Sequence, residues 1–509
     1  MKKSSVILYL VLIILAGLAL RLVAVFHSQS FWFDEIVSLK IAEKGLVASW
    51  QYLQWENNPP LHYWLLHFWI KLFGSSELVL RLSSVLFSTL NIFLLYLLGK
   101  KISGRPAVGL FAALLSAFSC YHLFTSMDAR MYPLLLSFGL LSFYFFWDYL
   151  ETGSRRQLFF YALFAVAALY THLTAVFIFA AVNLYWLFRR FLWRQKTPPL
   201  ASWLLANLLV ILAWLPWFIS FAVHNLSRLS TSAWYFHTNG SGFFLFELPR
   251  SFFFLGDEIP LIELFALIFL GLLFLLAFLR LREFSLFRQE IKIKLDPAPG
   301  AVFALFIFIV PLMIGFCFQV WVSKYYILGS AGLFLILALG FDRLHLQNFY
   351  LKISLAVLMV LFAPYNFWII KNQGQHQWTQ ATAYVEQNLT AGDTIFFPAF
   401  IYELVLNHYA TKPLPLNHNL TADLGTDRLL LAIKYNWYPL LDVKTLPDFQ
   451  QFFHNAKRVF LIYPDTSAPV HRSELVLDWF YNHAWTKVSE KHFGGFERTT
   501  IYIFKNPAL

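Results

Sequence analysis

The sequence predicts a polytopic α-helical membrane protein that carries an α/β domain in its C-terminal part. Three observations predict it. Of the 509 residues, 59% are hydrophobic, 19% aromatic and only 13% charged, whereas an average soluble domain carries about 25% charged residues. The apolar residues gather in runs long enough to cross a hydrocarbon core roughly 30 Å thick. After about residue 370 the chain turns polar, and its apolar runs shrink to strand length.

About eleven spans are expected, near residues 6–26, 79–98, 106–122, 132–150, 157–171, 173–189, 201–219, 260–280, 301–320, 325–341 and 352–370. The first follows Lys2 and Lys3, has no small-residue cleavage site behind it, and precedes further spans. It therefore reads as a retained helix with its N-terminus in the cytoplasm. The basic clusters Lys100/Lys101/Arg105, Arg155/Arg156, Arg189/Arg190/Arg194/Lys196, Arg280–Lys294 and Arg343/Lys352 then all fall in cytoplasmic connections. That placement accounts for the net charge of +11 through anionic lipid headgroups rather than nucleic acid.

The stretch Pro59–Gly74 is apolar but short, and loaded with Trp, Tyr and His, which prefer the membrane interface. Counting it as a span would push the Arg-rich loops outside, so it is expected to be an interfacial or re-entrant helix. Ile36–Trp55 is similar, with Leu46, Trp50 and Leu53 on one helical face. The outer loop 27–78 thus becomes a structured interfacial layer. The membrane domain is expected over 1–370 and an extracytoplasmic α/β domain over 371–509. In the latter, strands are expected at Asp393–Phe397, Arg428–Ile433 and Arg458–Tyr463, and helices near 400–409 and 472–484. Cys120 and Cys317 lie far apart within or beside apolar runs, with no metal-type spacing and no disulfide framework.

Four constellations fall on the predicted outer face. Asp34-Glu35 follows the first span within Phe31-Trp32-Phe33-Asp34-Glu35. It reads either as two solvated loop acids or as a general base that takes a proton from an acceptor hydroxyl. Asp128 and Arg130 lie in Met127-Asp128-Ala129-Arg130-Met131-Tyr132-Pro133, where Arg130 is either a salt-bridge partner of Asp128 or an anion-binding arginine. Lys324, in Ser323-Lys324-Tyr325-Tyr326, either snorkels or holds a lipid-linked phosphate at headgroup depth. Arg81 sits at the outer mouth of the second span. His62 and His172 belong to the same side and read as packing or hydrogen-bonding residues before catalytic ones.

The order FWFDE, NNPPLHYWLLHFWIKLFG, RLSSVLF, MDARMY, SKYY resembles the polytopic glycosyltransferases of the GT-C type. Among them it is most similar to the protein mannosyltransferase-like members of glycosyltransferase family 39, to which the aminoarabinose transferases belong. The resemblance covers about residues 1–370. It implies that Asp34 acts at the catalytic centre, that Asp128, Arg130 and Tyr132 match the outer Asp/Glu-x-Arg-x-Tyr motif, and that Lys324-Tyr325 matches a basic-residue-Tyr motif. Many members carry Arg where this chain has Lys324, a point charge in place of a bidentate fork. Asn57-Asn58 stands where the aminoarabinose transferases carry Glu-Lys.

The expected activity is transfer of a sugar from a polyprenyl-phosphate donor to a lipid, glycan or protein acceptor at the outer face of the cytoplasmic membrane, with inversion. Asp34 is the expected base, with Glu35 or Asp128 in support. Arg81, Arg130, Tyr132, Lys324, Tyr325, His62 and His172 are the expected donor- and substrate-binding residues. The expected partners are the lipid-linked donor, the acceptor and membrane lipids, with no nucleic acid, no required cofactor and no metal site. A flippase for lipid-linked sugars would want charges nearer the bilayer midplane, and an oligosaccharide ligase would share most of the chemistry.

Overall fold

The computed structural model describes residues 2–56, 58–232, 243–255, 260–285, 290–295, 298–344, 361–372, 376–397, 400–415, 453, 455–464, 473–494 and 499–507. Seven of the described helices are long and apolar enough to cross a membrane, and an eighth arises if Pro106–Phe118 and Cys120–Ser126, bent by 59° at their junction, make one span. The chain is a multi-pass membrane protein. The expectation of about eleven spans exceeds this number. Arg155–Leu169 has only 15 residues, Pro260–Phe278 counts as apolar helix only from Glu263, and the last span is described only over 361–372.

Local sequence explains the helix ends. Ser76 caps Glu77–Ser103 by accepting from the Val79 N–H, and Gly104 closes the helix in the left-handed conformation at φ +70°. Pro106 opens the next helix at its first turn, where no amide hydrogen is needed. These two helices cross at Gly99 and Gly109, where a Cβ on Gly109 would lie 2.4 Å from the Tyr96 carbonyl oxygen. Small residues allow that approach.

The break after Phe118 is held by a buried arginine. Arg21 donates to the Ser116 and Ala117 carbonyls at 3.1 Å each, to Gly17 O at 3.0 Å and to Ser88 Oγ at 2.8 Å. A cation at a helix C-terminus satisfies carbonyls that the bend has freed. The short helix beyond the break leads directly into Met127–Met131.

In the 27–78 loop the expected interfacial layer forms three helices, Phe33–Glu43, Gly45–Leu53 and Leu61–Phe73. The last has 13 residues and reaches about 20 Å, too short to span. The basic connection after residue 278 contains a hairpin that sequence patterning missed, β1 (Leu279–Ser285) against β2 (Glu290–Leu295).

The C-terminal part holds a four-stranded sheet of β3 (Asp393–Phe396), β4 (Arg458–Pro464), β5 (Thr486–Phe493) and β6 (Thr499–Lys505), in the order β3-β4-β6-β5. β3 and β4 are parallel, and the other pairs antiparallel. Strand alternation buries both faces of the sheet. Val459, Leu461 and Phe504 pack with Phe453, Trp479 and Phe480, while Phe460, Ile462, Ile501 and Ile503 pack with Trp378, Val385 and Val405. The second of these clusters continues into the membrane part through Phe31, Ile36, Leu39, Leu66 and Leu80. The helices expected near 400–409 and 472–484 are present as Phe400–Tyr409 and Ser473–Asn482, whereas Arg428–Ile433 lies outside the described residues.

Candidate active site

One end of the helix bundle gathers all ten residues singled out in the sequence. Asp34 and Glu35 open the Phe33–Glu43 helix, whose first turn favours acids because four N–H groups there lack intrahelical partners. Glu35 reaches back to accept from the Trp32 N–H at 3.2 Å. The neighbours then separate completely.

Glu35 is fully buried against Arg81, which donates from Nε to Oε1 at 2.9 Å and from Nη2 to Oε2 at 2.7 Å. Two more Arg81 donors go to the backbone oxygens of Gln29 at 2.7 Å and Ser30 at 3.0 Å. Glu35 Oε1 also accepts from the Ala129 N–H at 2.9 Å. Every nitrogen of Arg81 and both oxygens of Glu35 are thereby occupied within the protein. Where Arg81 was expected as a phosphate ligand and Glu35 as an auxiliary base, the geometry directs their hydrogen bonds to each other and to nearby backbone.

Asp34 instead meets two cations. Lys324 Nζ lies 3.5 Å and Arg130 Nη2 3.7 Å from Asp34 Oδ2. Arg130 Nη1 further donates to the Asp34 carbonyl at 3.1 Å and to Ser38 Oγ at 2.9 Å, and the Ser38 hydroxyl donates to that same carbonyl at 2.8 Å. Arg130 Nε is buried with no hydrogen-bond partner. Burial works to raise the Asp34 pKa, but Arg130 and Lys324 together outweigh it and hold the carboxyl below its usual range.

Asp128 behaves oppositely. Burial first, and then the Glu35 charge, push its pKa up to about 7. Its carboxylate makes no hydrogen bond or ion pair among the described residues. Its contact with Arg130 runs through backbone only, the Arg130 N–H donating to the Asp128 carbonyl at 2.8 Å. The salt-bridge reading of Arg130 thus has the wrong acid: the partner is Asp34, 96 residues away, and not Asp128.

The Lys324 ammonium rests over the Trp32 ring at 4.4 Å and the Tyr132 ring at 5.5 Å. Its turn is anchored by Tyr121, whose hydroxyl donates to the Ser323 carbonyl at 2.8 Å. Tyr132, Tyr325 and His172 form one aromatic group, with centroid separations of 5.6 Å for Tyr132–His172 and 5.0 Å for His172–Tyr325. The Thr174 N–H donates to His172 Nδ1 at 3.2 Å, which places the ring proton on Nε2. Burial, reinforced by Arg130 and Lys324, pushes His172 down to about 3, and burial with Arg130 does the same to His62. Both rings are neutral near pH 7.

Sequence reasoning missed two members of the site. Trp32 supplies the ring under Lys324, and Tyr63 stands within electrostatic reach of Arg130 and Asp34. Trp32 Nε1 is buried without a hydrogen-bond partner, and a buried unpaired polar group costs roughly 1–3 kcal/mol. Tyr63 and His62 interact instead with Arg130 and with the Ala129 backbone. Trp32 and Tyr63 lay within quoted motifs, but nothing in one sequence separates them from ordinary interfacial aromatics.

The architecture has solved counterparts. ArnT from Cupriavidus metallidurans in the apo state aligns over 97% of this chain and 97% of its own, with a TM-score of 0.61 and 14% identity. The same protein bound to undecaprenyl phosphate aligns over 99% of this chain and 98% of its own, with a TM-score of 0.58 and 14% identity. This chain has the GT-C fold. The GT-C likeness extends to the oligosaccharyltransferase AglB from Archaeoglobus fulgidus, solved with an inhibitory peptide and a dolichol-phosphate, at a TM-score of 0.51 and 12% identity over 91% of this chain and 70% of that one. Residues 57–217 match the family model of dolichyl-phosphate-mannose-protein mannosyltransferases. A comparison with curated proteins finds no match.

Proposed function

We propose that this protein transfers a sugar from a polyprenyl-phosphate donor to an acceptor hydroxyl at the outer face of the cytoplasmic membrane. The observation that carries the proposal is the charge balance at Asp34. The buried Arg130 and the part-buried Lys324 share one carboxylate at 3.7 and 3.5 Å, and Arg130 keeps an unpartnered Nε. Since Arg81 is paired with Glu35, the cluster at Asp34 keeps two cations, Arg130 and Lys324, that can turn to an anionic ligand. An anionic phosphate completes it. ArnT bound to undecaprenyl phosphate and the mannosyltransferase match over 57–217 support a lipid-linked donor.

In this reading the donor phosphate settles between Arg130 and Lys324, its isoprenoid tail lying among lipid-facing helices. The acceptor oxygen attacks the anomeric carbon, the carbon–oxygen bond to phosphate breaks with its electron pair leaving on the phosphate, and Asp34 takes the acceptor proton. Configuration inverts. Phosphate binding draws Arg130 and Lys324 away from Asp34 and adds a neighbouring negative charge, so the carboxylate becomes more basic when the donor is present. The aromatic group of Tyr132, Tyr325 and His172, the unpaired Trp32 Nε1 donor, and the Tyr63 and His62 side chains flank the sugar. Glu35 and Arg81 position the helix that carries Asp34.

The test is a deletion strain with its envelope glycans, lipids and glycoproteins profiled by mass spectrometry. One sugar should disappear from one acceptor class and return with the wild-type chain. Accumulation of a lipid-linked sugar on the inner leaflet, with transfer intact in lysed membranes, would support a flippase instead.

A further inference from the structure

The C-terminal domain touches the membrane part at a telling place, residues 29–31, immediately before the helix of Asp34. Four backbone groups there are held from two sides. Arg81, on the Glu77–Ser103 helix, takes the carbonyls of Gln29 and Ser30. From the C-terminal domain, the His376 carbonyl accepts from the Ser30 N–H at 3.2 Å. The Phe31 N–H donates to Tyr409 Oη and, at 3.2 Å, to Glu77 Oε1. The Tyr409 hydroxyl in turn donates to Glu77 Oε1, so it closes a three-membered clamp between the two parts of the chain.

Side chains repeat the pattern. Ser30 Oγ and Thr379 Oγ1 are 2.8 Å apart, and the Thr379 N–H donates to Ser30 Oγ at 3.0 Å. Phe31 is fully buried between Arg81, 5.2 Å from its ring, and His408, 6.0 Å away. Among the described residues the Asp34 carboxylate is met by two long ion-pair contacts, and its carbonyl by Arg130 and Ser38. Its position depends also on how the chain enters its helix, and three residues upstream that entry is gripped by the C-terminal domain.

We infer that the C-terminal domain is a positioning element of the transfer site, acting through Tyr409 on the backbone that leads into Asp34. The inference rests on the transferase reading of Asp34 and goes beyond it by assigning the outer domain a role. A misplacement of about 1 Å at a reacting group can cost on the order of a hundredfold in rate. Loss of one hydroxyl contact, with the ring kept, should cost about tenfold. Tyr409 is a positioning residue, not a catalytic one.

Tyr409→Phe keeps the ring and its burial and removes only the clamp. The variant is expressed in the deletion strain and the transferred sugar is measured by mass spectrometry, while undecaprenyl phosphate binding and melting temperature are measured on the purified chain. We expect about tenfold less product, with unchanged undecaprenyl phosphate affinity. The deciding measurement is the same substitution in an Asp34→Asn background. If Tyr409 acts through the Asp34 carboxylate, it should cost nothing further there, because groups acting as one unit are not additive.

Equal proportional losses in both backgrounds, or a loss that follows a fall in melting temperature, would overturn the positioning role. Ser30→Ala, which removes a separate contact with the same domain, should behave as Tyr409→Phe does. Normal product from Tyr409→Phe while Asp34→Asn is crippled sinks this inference alone. Normal product from Asp34→Asn sinks the transferase assignment of Asp34 beneath it.

Discussion

Arg81 grips Glu35 through Nε at 2.9 Å and Nη2 at 2.7 Å, and this pair releases Asp34, one residue earlier, to face Lys324 and Arg130. Consecutive acids on a helix point about 100° apart, so one guanidinium cannot serve both. The protein uses the difference. One carboxylate is locked into a neutral buried pair, and the other is left part-exposed between two cations.

The buried pair should matter mainly for folding. Removing one partner of such a pair costs about 3–5 kcal/mol because an uncompensated charge stays behind. Arg81→Ala and Glu35→Gln should each lower the melting temperature of purified protein strongly. Combining Arg81→Met with Glu35→Gln should recover part of it. Unchanged melting temperatures beside lost transfer would return both residues to a direct role in chemistry.

Asp34→Asn keeps size and polarity but removes the base. Transfer should fall by about 10²-fold or more, while binding of undecaprenyl phosphate stays equal or strengthens, since Arg130 and Lys324 lose a competing anion. Near-normal transfer would remove Asp34 from the mechanism. The same measurement on Asp128→Asn shows whether the less acidic carboxyl shares the proton.

Arg130→Ala and Lys324→Ala should each weaken undecaprenyl phosphate binding by about ten- to a hundredfold, the worth of a charge-assisted contact. Lys324→Arg should retain binding, because a guanidinium can reach the same phosphate. Unaltered lipid binding in both alanine variants would dissolve the phosphate site.

Asp128 makes stability depend on pH. Its folded pKa, raised to about 7, exceeds the ordinary carboxyl value near 3.9, so the folded chain holds this proton more tightly than the unfolded chain. Stability therefore falls as pH rises from about 4 to 7, and the penalty is complete above pH 7. Asp128→Asn should flatten this part of the melting-temperature profile. A profile identical to wild type would show that Asp128 titrates normally.

Much of the architecture was legible because apolar run length is a local property, set by bilayer thickness. It placed most described helices near the expected positions, though the span expected over 106–122 is two helices bent by 59° and the one expected over 201–219 runs from Leu200 to Ser232; the positions of basic connections placed the ten candidate residues at one end. The polar edge strand β5, Thr-Lys-Val-Ser-Glu-Lys-His-Phe, with little of it buried, and the hairpin of β1 and β2 carried no such signal. Backbone pairing alone makes them strands.

What the sequence by itself determined, then, is the set of helices, their order and the residue types that meet at one end. Tertiary structure decided the pairings: Glu35 with Arg81 across 46 positions, Asp34 with Lys324 across 290, and Phe31 with Tyr409 across 378. The reason is physical. In a buried, low-dielectric site the partner that lies within hydrogen-bond reach decides whether a charge is structural or available. That reach depends on how distant helices pack, which no local pattern encodes.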